Sequence, residues 1–353
     1  MNVIKQMAKV GIGLVASLFL LTGCSKKVED ANLLAGMELV EQYDFQGALE
    51  KFDEALLNDE DMQLCYRGQG IAYMGLGNYA DAETAFLKSI ENAKHTFSVA
   101  SLEYDINYYL ASVYMKQGKY ADAEKIYSAI IALRKKDIDA YYLRACAILR
   151  QNRYDEAIQD FEKAFSLDTK NLDLVTDAYV EMQAAGYENE GKEYVKKFMK
   201  DNDKNLKEQQ KGVMYFYLED YENARIYLDA FINGDDPNIS TILGQTYEKL
   251  GNMDYAATVY QTYLSSHDPN AGLYNSLGIC LMNQAKYTEA IGAFEAGIAM
   301  GNSDYLQELR FNLIVAKEYN RDFEQAKNLM KEYLQIYPDD AVAKRENEFL
   351  QSR

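Results

Sequence analysis

Two histidines, four cysteines and an excess of carboxylates are the side chains of this 353-residue sequence with chemistry to offer. His95 and His267 stand far apart, and neither has a second histidine nearby to complete a metal pair. There is no Gly-x-Ser-x-Gly elbow, and no glycine-rich phosphate loop followed by Lys and then Ser or Thr. The run Asp201, Asn202, Asp203, Lys204, Asn205 begins with the alternating oxygen donors of a calcium loop. Leu206 then stands where the sharp turn needs Gly, and Gly212 where a bidentate Glu must close the shell. Cys65, Cys146 and Cys280 are spread along the chain in an odd number, which makes no disulfide framework. No catalytic residue, metal or cofactor is expected, and the chain is not expected to be an enzyme.

The fourth cysteine has a different setting. Lys5 and Lys9 precede an uncharged run from Val10 to Leu21. Twelve residues make roughly 18 Å of helix, too short for a bilayer core of about 30 Å, so the run reads as an export signal. It ends in Leu21, Thr22, Gly23, Cys24, which resembles the lipobox of bacterial lipoproteins. That resemblance implies cleavage after residue 23 and a diacylglycerol on the Cys24 thiol. Residues 24–28, with Ser25, Lys26 and Lys27, would form a short tether. The implied location is extracytoplasmic, on the cell membrane or the outer membrane.

The rest of the chain is organised around a stretch such as Gly77 to Ile90, GNYADAETAFLKSI. Tyr79, Ala82, Phe86 and Ser89 are spaced by three, four and three, which places them on one helical face. With the aromatic that opens the helix as a marker, copies fall at Phe45, Tyr79, Tyr120, Tyr154, Glu188, Tyr221, Met253, Tyr287 and Phe323. Three residues later stands Ala48, Ala82, Ala123, Ala157, Gly191, Ala224, Ala256, Ala290 or Ala326. Four beyond that comes Phe52, Phe86, Tyr127, Phe161, Val195, Leu228, Tyr260, Phe294 or Met330. The fifth copy is the loosest, since Glu188 replaces the aromatic and Gly191 lowers helix propensity by about 1 kcal/mol relative to Ala. Such a helix cannot bury its face alone, and therefore needs a partner helix before it and another hairpin after it.

Phe45 to Tyr79, Tyr120 to Tyr154, and Met253 to Tyr287 are each 34 residues apart. In period and pattern the chain resembles the tetratricopeptide repeat (TPR) family, at Gly70, Tyr73, Gly77, Tyr79, Ala82 and Phe86 and again at Leu277, Gly278, Tyr287, Ala290 and Phe294. The resemblance implies an all-α fold: a right-handed α-solenoid superhelix of about nine TPR helix-turn-helix units over residues 29–340, with a C-terminal capping helix at 341–353. Tyr79 to Tyr120 is 41 residues, seven more than the period. Seven residues are close to two helical turns, so residues 97–103 are expected to lengthen a first helix without rotating its face. The array is expected to be one elongated domain, most readily hinged at its weak fifth unit.

The same resemblance implies a concave groove lined by the first helix of each unit. In the peptide clamps of this family a Lys and an Asn grip a terminal carboxylate. The corresponding pairs here are Leu33 with Met37, Arg67 with Ile71, Tyr108 with Ser112, Tyr142 with Cys146, and Asn275 with Ile279. None is the clamp. What the groove offers instead is Met37, Arg67, Ile71, Met74, Tyr108, Met115, Tyr142 and Leu149, an apolar and phenolic strip suited to a peptide. A formal net charge of −18 disfavours nucleic acid, and no cluster of Lys and Arg is large enough to collect a phosphate backbone. The expected function is a non-catalytic, monomeric, membrane-anchored adaptor for a protein or peptide in the bacterial cell envelope. The alternative is a surface lipoprotein that binds solutes or glycans, although the chain has no Trp for sugar stacking.

Overall fold

A computed structural model of the chain describes residues 30–93, 100–301, 304–338 and 340–352. The signal peptide, the tether, Cys24, His95 and residues 97–99 of the inserted stretch lie outside the described residues. The described residues group into two compact units, dividing between Gly191 and Lys192. The division falls within the fifth repeat. Among the described residues every regular element is helical.

The first unit contains α1 (Ala31–Glu41), α2 (Phe45–Leu57), α3 (Met62–Gly75), α4 (Tyr79–Glu91), α5 (Ala100–Lys116), α6 (Tyr120–Leu133), α7 (Ile138–Leu149), α8 (Tyr154–Leu167) and α9 (Asp173–Ala184). The next helix, α10 (Glu188–Asn202), crosses the division. The second unit continues with α11 (Glu208–Tyr217), α12 (Tyr221–Leu228), α13 (Pro237–Lys249), α14 (Met253–Ser266), α15 (Ala271–Asn283), α16 (Tyr287–Ala299), α17 (Leu306–Tyr319), α18 (Phe323–Ile336) and α19 (Ala341–Gln351). A short 3-10 turn, Asp229–Phe231, extends α12.

Each of the nine marker residues begins a helix. Each small residue three positions on is buried, and each large residue four beyond that is no more than 2% exposed. The facing first helix supplies the complementary space. A Cβ added to Gly70 would lie 2.5 Å from the Phe86 ring, and one added to Gly36 2.6 Å from the Phe52 ring. Gly278 stands in the same relation to Phe294. Glycine is present there because the ring of the second helix occupies the volume a side chain would take.

The turn inside each hairpin is equally uniform. The residue two before each marker has a positive φ: Tyr43, Gly77, Gly118, Asn152, Gly186, Glu219, Gly251, Ala285 and Arg321. The residue after it donates its N–H back across the turn, as Asn78 does to the Tyr73 carbonyl at 2.8 Å and Asp322 to Lys317 at 2.8 Å. That six-to-one bond closes the helix end by satisfying a carbonyl that would otherwise lack a partner. Gly77 adopts this conformation freely, whereas Ala285 holds it against a Cβ–carbonyl clash of roughly 1–2 kcal/mol.

Junctions between hairpins use side-chain caps. Asp61 accepts from Leu64 N, Asp137 from Ala140 N, and Asn270 from Leu273 N. Pro237 opens α13 at a position where its missing N–H costs nothing. Residues 100–103 of the inserted stretch lengthen a first helix: α5 has 17 residues, against 10 to 14 for the other first helices. The last helix, α19, covers the end of α18, burying Ala343 and Leu350 beside Met330 and leaving charged residues outward.

Candidate functional site

Within each unit most first helices of consecutive hairpins touch side by side. In the first unit α1 meets α3, α3 meets α5, and α7 meets α9; in the second, α11 meets α13, α13 meets α15, and α15 meets α17. First helices thus lie beside one another as α1, α3 and α5 and as α7 and α9 in the first unit, and as α11, α13, α15 and α17 in the second, and the candidate groove residues sit on first helices.

Exposure divides the candidates into two sets. Met37, Ile71, Met74 and Met115 are half-buried, each with part of its side chain at the surface. Met37 rests on the cluster around Phe52, and Ile71 and Met74 rest on the cluster around Phe86 and Leu110. The other four are packing residues. Tyr142 and Leu149 are 2% and 1% exposed, and Arg67 and Tyr108 are each 7% exposed. The strip is thus not a continuous open surface, because its larger side chains are taken up in contacts between helices.

Those buried groups have partners of their own. The Arg67 guanidinium donates to Asp105 Oδ2 at 2.7 Å and lies over the Tyr109 ring, whose other contact is a parallel stack on Phe86. A buried ion pair of this kind joins the second hairpin to the overlong α5, and removing one partner strands a charge in the interior. Tyr108 donates its hydroxyl to Asp137 Oδ1 at 2.6 Å, the same carboxylate that caps α7. Burial pushes the Tyr108 phenol well above its ordinary value, with the Asp139 charge adding to it and Arg134 opposing it. Burial likewise raises the Asp137 carboxyl. Tyr142 packs its ring against Phe161, 5.4 Å between centroids.

On the second unit, the first-helix face carries a polar pair absent from the expected strip. Asn312 Nδ2 of α17 donates to Asn275 Oδ1 of α15 at 2.9 Å, and Ile279 one turn along α15 is 39% exposed. The signal for Asn312 is weak in the sequence, since it stands one place out of register with Asn275 relative to the helix markers.

The remaining chemical candidates are absorbed by packing. Cys65, Cys146 and Cys280 are free and buried. Burial, then the charges of Glu60 and Asp61, push the Cys65 thiol up to about 12. His267 stacks on Tyr263 at 4.6 Å. Asn202 is still within α10, and Asp203 pairs with Lys211 at 2.6 Å. Among the described residues no group of three or more His, Cys, Asp and Glu is placed to hold a metal ion, and no helix is long and apolar enough to cross a membrane.

Comparison with known proteins finds similar chains among curated sequences and solved structures. The BBSome complex member BBS4 of Bos taurus is 22% identical over 201 residues, 56% of this chain, and the match spans only 37% of that relative's own length. Among solved structures, a tetratricopeptide repeat protein from Parabacteroides merdae is 14% identical, covering 72% of this chain and 98% of its own with a TM-score of 0.42. YrrB, a TPR protein described as having an unusual peptide-binding site, is 18% identical over 63% of this chain and 97% of its own, with a TM-score of 0.35. The family profile described as "Tetratricopeptide repeat" matches residues 33–96, 108–169 and 242–305, more than half of the sequence. The chain belongs to the tetratricopeptide repeat family, whose arrays usually serve as non-catalytic scaffolds for protein partners.

Proposed function

We propose that this protein is a lipid-anchored scaffold of the bacterial cell envelope that holds a polypeptide partner against its first-helix face and performs no chemistry itself. The observation that carries the binding half is the placement of half-buried Met37, Ile71 and Met74 on first helices that lie side by side. A rigid, preformed face lowers the ordering cost of association, and methionine adapts its packing to an uneven partner. The anchoring half rests on the Leu21–Cys24 motif behind an uncharged run. Two or three acyl chains on Cys24 would hold the protein by about 0.8 kcal/mol per buried methylene.

Two substitutions test the two halves separately. Cys24→Ala should move the protein from the membrane fraction to the soluble extracytoplasmic fraction, and retention in the membrane would refute acylation. A paired change, Ile71→Glu with Met74→Glu, should reduce recovery of co-purifying envelope proteins at least tenfold while the helical circular dichroism stays unchanged. Undiminished recovery would remove this face as the binding surface.

A further inference from the structure

Arg134, Lys135 and Lys136 are the only three consecutive cations in the sequence, in a chain of formal net charge −18. They fill the turn between α6 and α7. Arg134 is held in place without being neutralised: its guanidinium carbon lies 3.6 Å from the centroid of the Tyr104 ring, so one face is covered while the N–H edges remain in solvent. Lys135 and Lys136 are exposed, with no ion-pair partner among the described residues. The next residue, Asp137, commits its carboxylate to the Ala140 N–H and the Tyr108 hydroxyl, and Asp139 is half-buried on α7. Immediately before the cations, α6 ends in Leu133, which is 84% exposed.

A second leucine supplies the internal comparison. Leu57 likewise ends α2, one place earlier counted from its helix marker, and is also 84% exposed, yet the turn that follows it reads Asn58, Asp59, Glu60, with Asp59 in solvent and Glu60 buried against Leu33 N. Equal apolar exposure is thus paired with opposite charge.

We propose that residues 133–136 form a contact for an anionic bilayer surface, with Leu133 entering the headgroup layer while Arg134, Lys135 and Lys136 meet lipid phosphates. An exposed apolar side chain flanked by unpaired cations is the combination that the lipid–water boundary rewards, and neither part alone binds firmly. Three cations are too few to track a nucleic acid backbone. The acidity of the rest of the chain does not cancel the attraction, because charges farther than about 8 Å from the contact are largely screened at physiological salt. The contact does not depend on acylation of Cys24.

The test uses the full chain with an environment-sensitive fluorescent amino acid at position 133 or, as control, at position 57. Each is mixed with vesicles of pure phosphatidylcholine or of phosphatidylcholine with phosphatidylglycerol. The probe at 133 should shift to the blue and become accessible to lipid-borne quenchers on the anionic vesicles only. The probe at 57 should stay in water on both. Lys135→Glu with Lys136→Glu, which touches no packing residue, should abolish the shift at 133, as should raising the salt to 1 M. A probe at 133 that remains in water on anionic vesicles, or that responds equally to neutral ones, would overturn the proposal. So would protection of position 133 by polyglutamate without any response to vesicles, since that would assign the loop to an acidic polypeptide.

Discussion

The second and fifth repeats distribute side-chain volume over their equivalent positions in opposite ways. In the second, Gly70 of α3 leaves room for the Phe86 ring of α4. In the fifth, the position equivalent to Gly70 is Tyr179, and the position equivalent to Phe86 is Val195. Gly191 replaces the usual alanine because a Cβ there would lie 2.9 Å from the Tyr179 ring. A glycine that looks like helix weakness is the space a displaced aromatic requires. A large residue on the first helix is accompanied by the smallest possible residue facing it, so which position carries the volume is free to change.

The contrast can be broken most forcefully from its large side. Phe86→Ala should cost about 3–5 kcal/mol, because a fully buried ring leaves a cavity between Gly70 and Tyr109. Val195→Ala should cost roughly half as much, and chemical denaturation of the two variants would measure the difference. Equal losses would mean that Val195 fills as much buried volume in its helix as Phe86 does in the second hairpin.

Next in size comes the small residue itself. Ala82→Leu should overpack a regular hairpin by about 1–3 kcal/mol. Gly191→Ala should also destabilise, by about 1 kcal/mol net, although alanine is the better helix former by a similar amount. Combining it with Tyr179→Leu should remove most of that penalty. A melting temperature raised by Gly191→Ala alone would show propensity to outweigh packing.

The turns make the finest distinction. Ala285→Gly should stabilise by up to about 1 kcal/mol, since φ there is +57° and glycine relieves the clash. Gly77→Ala, at φ +77°, should destabilise by a similar amount. If both changes shift the melting temperature in the same direction, the left-handed turn is not what closes these hairpins.

The helix markers, the small residues and the large residues were all legible in the sequence, because a fixed period exposes them even where the residue type drifts, as at Glu188 and Met253. The left-handed turn position was not, because Tyr43, Glu219, Ala285 and Arg321 occupy it as well as glycine. Counting back two from each marker would have found it. For the candidate groove, position along the first helix told which face a residue shares, but not how near the next first helix stands. Tyr108 is enclosed by Asp137, 29 residues away in sequence, and Arg67 by Asp105, 38 away. Such contacts depend on the inter-hairpin distance, which periodicity does not encode.

The central claim is that the first-helix face is where this scaffold meets a polypeptide. It is tested most directly by photo-crosslinking in living cells, with a photoreactive residue at Met74 compared with one at Leu87, which is 40% exposed on the second helix of the same hairpin. A discrete crosslinked product from position 74 and none from position 87 is the expected result. Products of equal yield from both positions, or from position 87 alone, would contradict it.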